Sequence, residues 1–285
     1  MPGHSENCPH CGEVVEYWQV NCRCGEFVGF PNYRAATAEY DELEKRARAA
    51  HDDATTRGLA TLLVKLEALA TSSQPVIAMG FAACDDILRS GKYRNYDQRV
   101  ESGERDPAKA PDHADRQMVG ARLFPQYGKH IHYAALSPDG RGLTRYGTVA
   151  VRWKVTDFYL GRRVSLLEEN SFTFYDHHGL GARGAVIPPG YRATWEERGK
   201  LVIAKLAARL TAATSEGSLA GLLLQAGGTR IDHDYVEIAI FADTGLDTVD
   251  VDLVSRQRVP TTPEEGYRWD LVREICASRG IAVIE

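Results

Sequence analysis

Four of the six cysteines lie within seventeen residues of one another, near the start of a 285-residue chain. They read Cys8-Pro9-His10-Cys11-Gly12 and Cys22-Arg23-Cys24-Gly25. A close cysteine pair sits on a tight turn, and a glycine just behind it tolerates the left-handed backbone such a turn needs. Two turns of this kind facing each other present four thiolates in a tetrahedron, the arrangement zinc prefers. The segment is thus expected to be a zinc ribbon with Cys8, Cys11, Cys22 and Cys24 as ligands. A closed four-thiolate site is structural, because it leaves no coordination position for a substrate. Val14, Val15, Tyr17, Trp18 and Val20 between the pairs suggest a short hairpin over residues 12–21.

The surrounding composition fixes the context. Apolar residues make up 44% and charged residues 26%, the balance of a globular chain with an ordinary core. No apolar run approaches the roughly 20 residues of a bilayer span, and the N-terminus lacks the basic and apolar regions of a secretory signal. The expectation is a cytoplasmic protein with no membrane partner, in a compartment where thiols stay reduced. Cys84 and Cys276 stand alone and read as small buried hydrophobes. His177-His178, in a turn-like stretch, is a weaker metal candidate than the cysteines.

Charge is segregated. Residues 89–163 carry 15 Lys/Arg against 8 Asp/Glu, whereas residues 231–285 carry 5 against 12. A basic middle suits a polyanion or a pyrophosphate. Residues 1–50 hold 5 basic and 8 acidic side chains, which argues against a phosphate grip by the ribbon itself.

Hydrophobic periodicity predicts helices over 33–53, 55–70, 82–90, 116–124, 195–213, 219–225 and 267–278. It predicts strands over 76–79, 131–136, 146–155, 163–174, 235–241, 249–253 and 281–284, with 89–115 largely loop. Strands and helices mix without a βαβ rhythm, so the fold class is α+β. Three units are expected: a zinc ribbon over 1–32, a helical connector over 33–74 and a mixed β domain over 75–285.

No Walker loop, GxGxxG, GxSxG or HExxH is present. Several weaker segments nevertheless occur in a telling order. They are 93–103 (Tyr93-Arg94-Asn95 through Ser102-Gly103), Arg116 ahead of Leu123-Phe124, and His132-Tyr133-Ala134-Ala135-Leu136. Arg145-Tyr146-Gly147, Arg163-Val164-Ser165 leading to Glu169-Asn170-Ser171, and Asp234-Tyr235-Val236-Glu237 complete the set. Their order resembles a bacterial and phage-associated family of ADP-ribosyltransferase-like proteins. The likeness covers about residues 75–253. It departs at Glu169-Asn170-Ser171 (Gly-Asp-Ser in the family), at Ala239 (Gln in the family) and at Ser102-Gly103, a partial echo of Thr-Gly.

The resemblance implies an NAD-dependent mono-ADP-ribosyltransferase whose macromolecular acceptor is a protein, DNA or RNA. A toxin or antiviral-defence setting would fit that family. Glu237 is the implied catalytic residue, and the chemistry gives it a role of its own. Cleavage of the nicotinamide–ribose bond passes through an oxocarbenium-like state, which a carboxylate beside the ribose stabilises. Strand alternation puts Val236, Ile238 and Ile240 on a core face and Tyr235, Glu237 and Ala239 on the other. That second face is either a cleft wall or exposed surface. Arg94, Arg99 and Arg116 are candidates for the pyrophosphate, since a guanidinium fork matches phosphate oxygens. Tyr133 and Tyr146 read equally as stacking partners of NAD or as core aromatics. Ser165 and Ser171 are alternative holders of the nicotinamide ribose. The rival function is a nucleic-acid-binding or regulatory adaptor, docking a protein partner without catalysis.

Overall fold

The computed structural model describes residues 6–8, 10–16, 19–156, 161–225 and 234–285. Both cysteine turns close as their glycines require. Gly12 and Gly25 adopt φ of 74° and 92°, and their N–H groups donate to the carbonyls of Cys8 and Cys22. The hairpin differs from the expected one. Val14–Val15 pairs antiparallel with Glu6–Asn7, because the Cys8 N–H donates to the Glu13 carbonyl at 2.7 Å. The first turn therefore folds the chain back onto the residues before it. Tyr17 and Trp18 lie outside the described residues.

The core is a mixed eight-stranded sheet within an α+β fold. Its strands are β1 (Gln74–Met79), β2 (Ile131–Ser137), β3 (Val149–Trp153), β4 (Val164–Leu167), β5 (Arg192–Thr194), β6 (Glu237–Phe241), β7 (Val251–Arg256) and β8 (Ala282–Ile284). The spatial order is β8-β7-β3-β1-β2-β6-β4-β5. All neighbours are antiparallel except β7 and β8. One junction is short. β1 pairs with β2 only from Gln74 to Val76, while Val76 to Met79 pair with β3. Past Val76 the two strands diverge, and the sheet opens into a cleft.

Helices α1 (Pro31–Ala38), α2 (Tyr40–Thr56), α3 (Ala60–Ser72), α4 (Phe81–Ser90), α5 (Tyr96–Glu101), α6 (His113–Leu123), α7 (Ser171–His177), α8 (Arg198–Leu206) and α9 (Pro263–Arg279) surround it. Leu43, Leu63 and Leu66 from α2 and α3 share one apolar core with Leu201, Leu206, Ile238 and Val151. Residues 33–74 thus form a layer of the domain, where a connector was expected. Cys84 and Cys276 are fully buried in the same core, and burial pushes both thiols up, that of Cys276 to about 11. The opposite sheet face packs Leu167, Ala239 and Phe241 against Val119, Leu123, Phe124 and Phe174 of the α6–α7 side.

Tertiary and capping contacts account for the other departures. The helix expected over 33–53 breaks at Glu39, whose carboxylate accepts the N–H groups of Gly190 and Arg192 at 3.1 and 3.2 Å. The strand expected over 163–174 ends at Leu167. There Asn170 caps α7, its side chain accepting the Phe172 N–H at 3.1 Å. Within the expected 89–115 loop, Asn95 and Gln98 form a reciprocal capping box that starts α5, as such pairs do. No helix among the described residues is long and apolar enough to cross a membrane.

Candidate functional site

A cavity of ≈ 510 Å³ occupies the opening between β1 and β2. Val76, Ile77 and Ala78 line one side, and Tyr133, Ala134 and Ala135 the other. The 138–148 connection runs along the open edge of β1, and two glycines permit the approach. A Cβ on Gly147 would lie 2.2 Å from the Met79 nitrogen, and one on Gly142 would lie 3.2–3.3 Å from Ala78, Ala150 and Val76. Gly147 thereby holds Arg145 and Tyr146 at the cavity wall.

Glu237 lies within this cavity, 4% exposed. Register sets its neighbours: it stands between Ala135 of β2 and Leu167 of β4, while Ala239 stands between Tyr133 and Ser165. Val236, Ile238 and Ile240 point into the aliphatic core, as alternation requires. Of the two readings of its face, exposed surface is the wrong one. The carboxylate accepts the Ser171 N–H at 3.1 Å, the Asn170 side-chain amide at 3.0 Å and the Tyr235 hydroxyl at 3.4 Å. Asn170 also donates to the Tyr235 hydroxyl at 2.6 Å. Burial nonetheless raises the Glu237 carboxyl to about 8, against the lowering influence of Ser171, Tyr235 and the Arg116 charge. Burial and the Glu237 charge likewise push the Tyr133 phenol up.

The cavity brings together Glu237, Arg116, Tyr133, Tyr146 and Ser171. It does not include Arg94, Arg99 or Ser165. Arg94 and Arg99 both pair with Glu104, so the carboxylate three residues beyond α5 takes up their charge. Ser165 shares the face of Glu237 but is 3% exposed and filled over by Asn32. The Asn32 amide donates to the carbonyls of Arg163 and Ala239, 2.8 Å each, and to the Ser165 hydroxyl at 3.3 Å. Between the two serines, the one in the cavity is Ser171. Arg116 is partly committed: its Nε and Nη2 both meet one oxygen of Asp112 at 2.8 Å. Tyr133 is partly buried, while Tyr146 is 46% exposed at the wall.

Three further residues enter the site unforeseen. Asn170 and Tyr235 complete the shell around Glu237, and Arg145 lines the cavity. Lys205 supports them from below. Its side chain is 3% exposed, and its ammonium donates to the carbonyls of Glu168 at 2.6 Å and Tyr235 at 3.1 Å and pairs with Asp234. It ties the strand that leads to Asn170–Ser171 to the strand that carries Glu237.

A second centre is formed by the cysteines. Cys8, Cys11, Cys22 and Cys24 are free thiols whose sulfurs all lie within 4.8 Å of one another. A tetrahedron of thiolates about 2.3 Å from a zinc has edges of about 3.8 Å. The Cys8–Cys24 and Cys11–Cys22 sulfurs are 3.8 and 3.5 Å apart, so the donor set fits such an ion. His177 pairs with Glu169 at 2.9 Å and joins no metal-ligand cluster among the described residues.

No protein-family model matches the chain, and no curated protein matches it.

Proposed function

We propose that the cavity binds NAD and that the protein transfers ADP-ribose from it to an acceptor. The observation that carries the proposal is Glu237: a buried carboxyl, oriented by Ser171 and Asn170, in the wall of a ligand-sized cleft. Cavities of about 300–1,000 Å³ with a few convergent polar groups are the usual form of small-molecule sites. In the reaction, the bond from ribose C1′ to the nicotinamide nitrogen breaks, and its electron pair leaves with nicotinamide. An oxocarbenium-like ribose results. Glu237, ionised in the complex, hydrogen-bonds a ribose hydroxyl and opposes that positive charge in a site of low dielectric. Asn170 and the Ser171 N–H hold its two oxygens in place. Tyr133 and Tyr146 offer rings to the nicotinamide or adenine. The positive nicotinamide ring beside Glu237 favours its ionisation, so placement of that ring and carboxylate formation reinforce one another.

The four thiolates, in this proposal, bind one zinc ion that closes the N-terminal ribbon. That ribbon is docked, with Phe30 against Phe241 at 5.1 Å between ring centroids and the Asn32 amide bonded to the Arg163 and Ala239 carbonyls, across β4 and β6. It thus serves the domain as a brace. The test is incubation of the full-length, zinc-loaded protein with labelled NAD and lysate, DNA or RNA. Nicotinamide release with label transferred to one pool is expected. No NAD turnover with any pool would refute the transferase and favour the adaptor.

A further inference from the structure

We infer that Arg145 is the residue that grips the diphosphate of the bound nucleotide. The inference rests on the NAD reading for the identity of the ligand. Arg116 and Arg145 are the guanidinium groups lining the cavity among the described residues. Two N–H groups of Arg116 are taken by Asp112, so recruiting it would strip a carboxylate of its partner. Arg145 has no hydrogen bond, ion pair or ring contact among the described residues. Its full fork is available to a bidentate anion.

The backbone beneath Arg145 is fixed. The Tyr146 N–H donates to the Leu143 carbonyl at 2.9 Å and the Gly147 N–H to that of Thr144 at 3.3 Å. Leu143 is buried against Ala135 and Tyr235, and Gly147 abuts the Met79 backbone. The guanidinium therefore rides on a turn pinned at both ends, and binding orders only its side chain. The remaining charge at the wall also favours it. Asp112 is neutralised by Arg116, and Asp97 holds the Gln117 amide at 2.6 Å. A dianionic diphosphate entering beside Asp97 and Glu237 needs an uncommitted cation, which Arg145 supplies.

Calorimetric titration of NAD, ADP and adenosine into the zinc-loaded full chain tests this. The proteins are wild type, Arg145→Ala, Arg145→Lys and Arg116→Ala. Arg145→Ala should weaken NAD and ADP by about 10- to 100-fold, as expected for losing hydrogen bonds to a charged group. Adenosine, which lacks the diphosphate, should bind all four alike. Arg145→Lys should recover part of the affinity, and thermal melting should be unchanged in both Arg145 variants. Equal ADP affinity in wild type and Arg145→Ala overturns the inference, as does a loss confined to Arg116→Ala. Wild type that binds neither NAD nor ADP overturns the NAD reading together with it. Arg145-dependent ADP binding without NAD cleavage upholds the diphosphate site and refutes the transferase.

Discussion

Replacing Glu237 by Gln separates its electrostatic role from its packing. The side chain keeps its volume, its amide oxygen replaces one accepting oxygen, and its NH2 replaces the other, a hydrogen-bonding cost against the donors of Ser171, Asn170 and Tyr235 that does not depend on pH. Burial raises the carboxyl from 4.5 to about 8 in the fold. The neutral form is then favoured in the native state, so the associated stability is fully present below about pH 4.5. It is lost as pH rises through about 8. At 1.36 kcal/mol per pH unit, that rise corresponds to on the order of 5 kcal/mol. Denaturant unfolding at pH 4.5 and pH 9 should therefore show wild type losing stability relative to Glu237→Gln as pH rises, whatever constant offset separates the two in acid. Turnover should behave oppositely. Loss of one well-placed charge costs about 10²-fold or more in kcat, with NAD affinity little affected. In wild type, kcat/KM should climb as pH passes through about 8, because that ratio reports the free protein. The variant should lack this rise. Full turnover in Glu237→Gln, or a variant whose stability tracks wild type from pH 4.5 to 9, would refute the reasoning.

Two other perturbations probe the supports of the site. Elemental analysis should find one zinc per chain, with less metal and lower thermal stability in Cys22→Ser; a stable, metal-free wild type with four free thiols would exclude the ribbon centre. Lys205→Met should cost roughly 1–3 kcal/mol by leaving the Glu168 and Tyr235 carbonyls without their donor, while Asp234 keeps Arg209, read by denaturant unfolding, and should lower kcat more than NAD affinity. A Lys205→Met protein with wild-type kcat would remove Lys205 from the positioning of Glu237.

What the sequence made legible follows from how local each signal is. The four cysteines report themselves, since ligand spacing and trailing glycines are properties of short segments. The facing of Glu237 is also local, fixed by two-residue alternation next to Val236 and Ile238. Its burial is not, because Asn170 and Ser171 arrive 67 and 66 positions away. That Ser171 rather than Ser165 reaches the cavity depends on Asn32, 133 positions from Ser165. Arg94 and Arg99 looked as suitable as Arg116 until Glu104 claimed them. The cavity itself depends on β1 and β2 pairing for three residues and then parting, and no periodicity encodes where a ladder stops. Arg145 stood in view beside Tyr146 and Gly147. What marks it is its lack of a partner among the described residues, a property visible only once the charges around it have been placed.

The segment that follows the N-terminal cysteine turns braces the strand of Glu237 although it lies outside the cavity. Asn32 bonds the Arg163 and Ala239 carbonyls, bridging β4 and β6 only two residues from Glu237. Phe30 donates its N–H to the Arg162 carbonyl at 3.2 Å and packs its ring, tilted by 37°, on Phe241 at the end of β6. Arg34 ties this segment back to the ribbon through the Gln19 and Gly29 carbonyls at 2.8 and 2.7 Å. A structural zinc contributes on the order of 10 kcal/mol of apparent binding free energy in small modules, and here that energy would favour the states in which the ribbon is closed and docked. Removing the metal would weaken the hold on Phe30 and Asn32, take a second hydrogen bond from the Arg163 carbonyl, which keeps the Phe241 N–H, and loosen the brace across the strand that holds Glu237 in register with Ala135 and Leu167. On the proposed function, chelation should then reduce kcat before it unfolds the sheet, because the proposed role of Glu237 depends on its orientation whereas the aliphatic core beneath β6 packs on its other face.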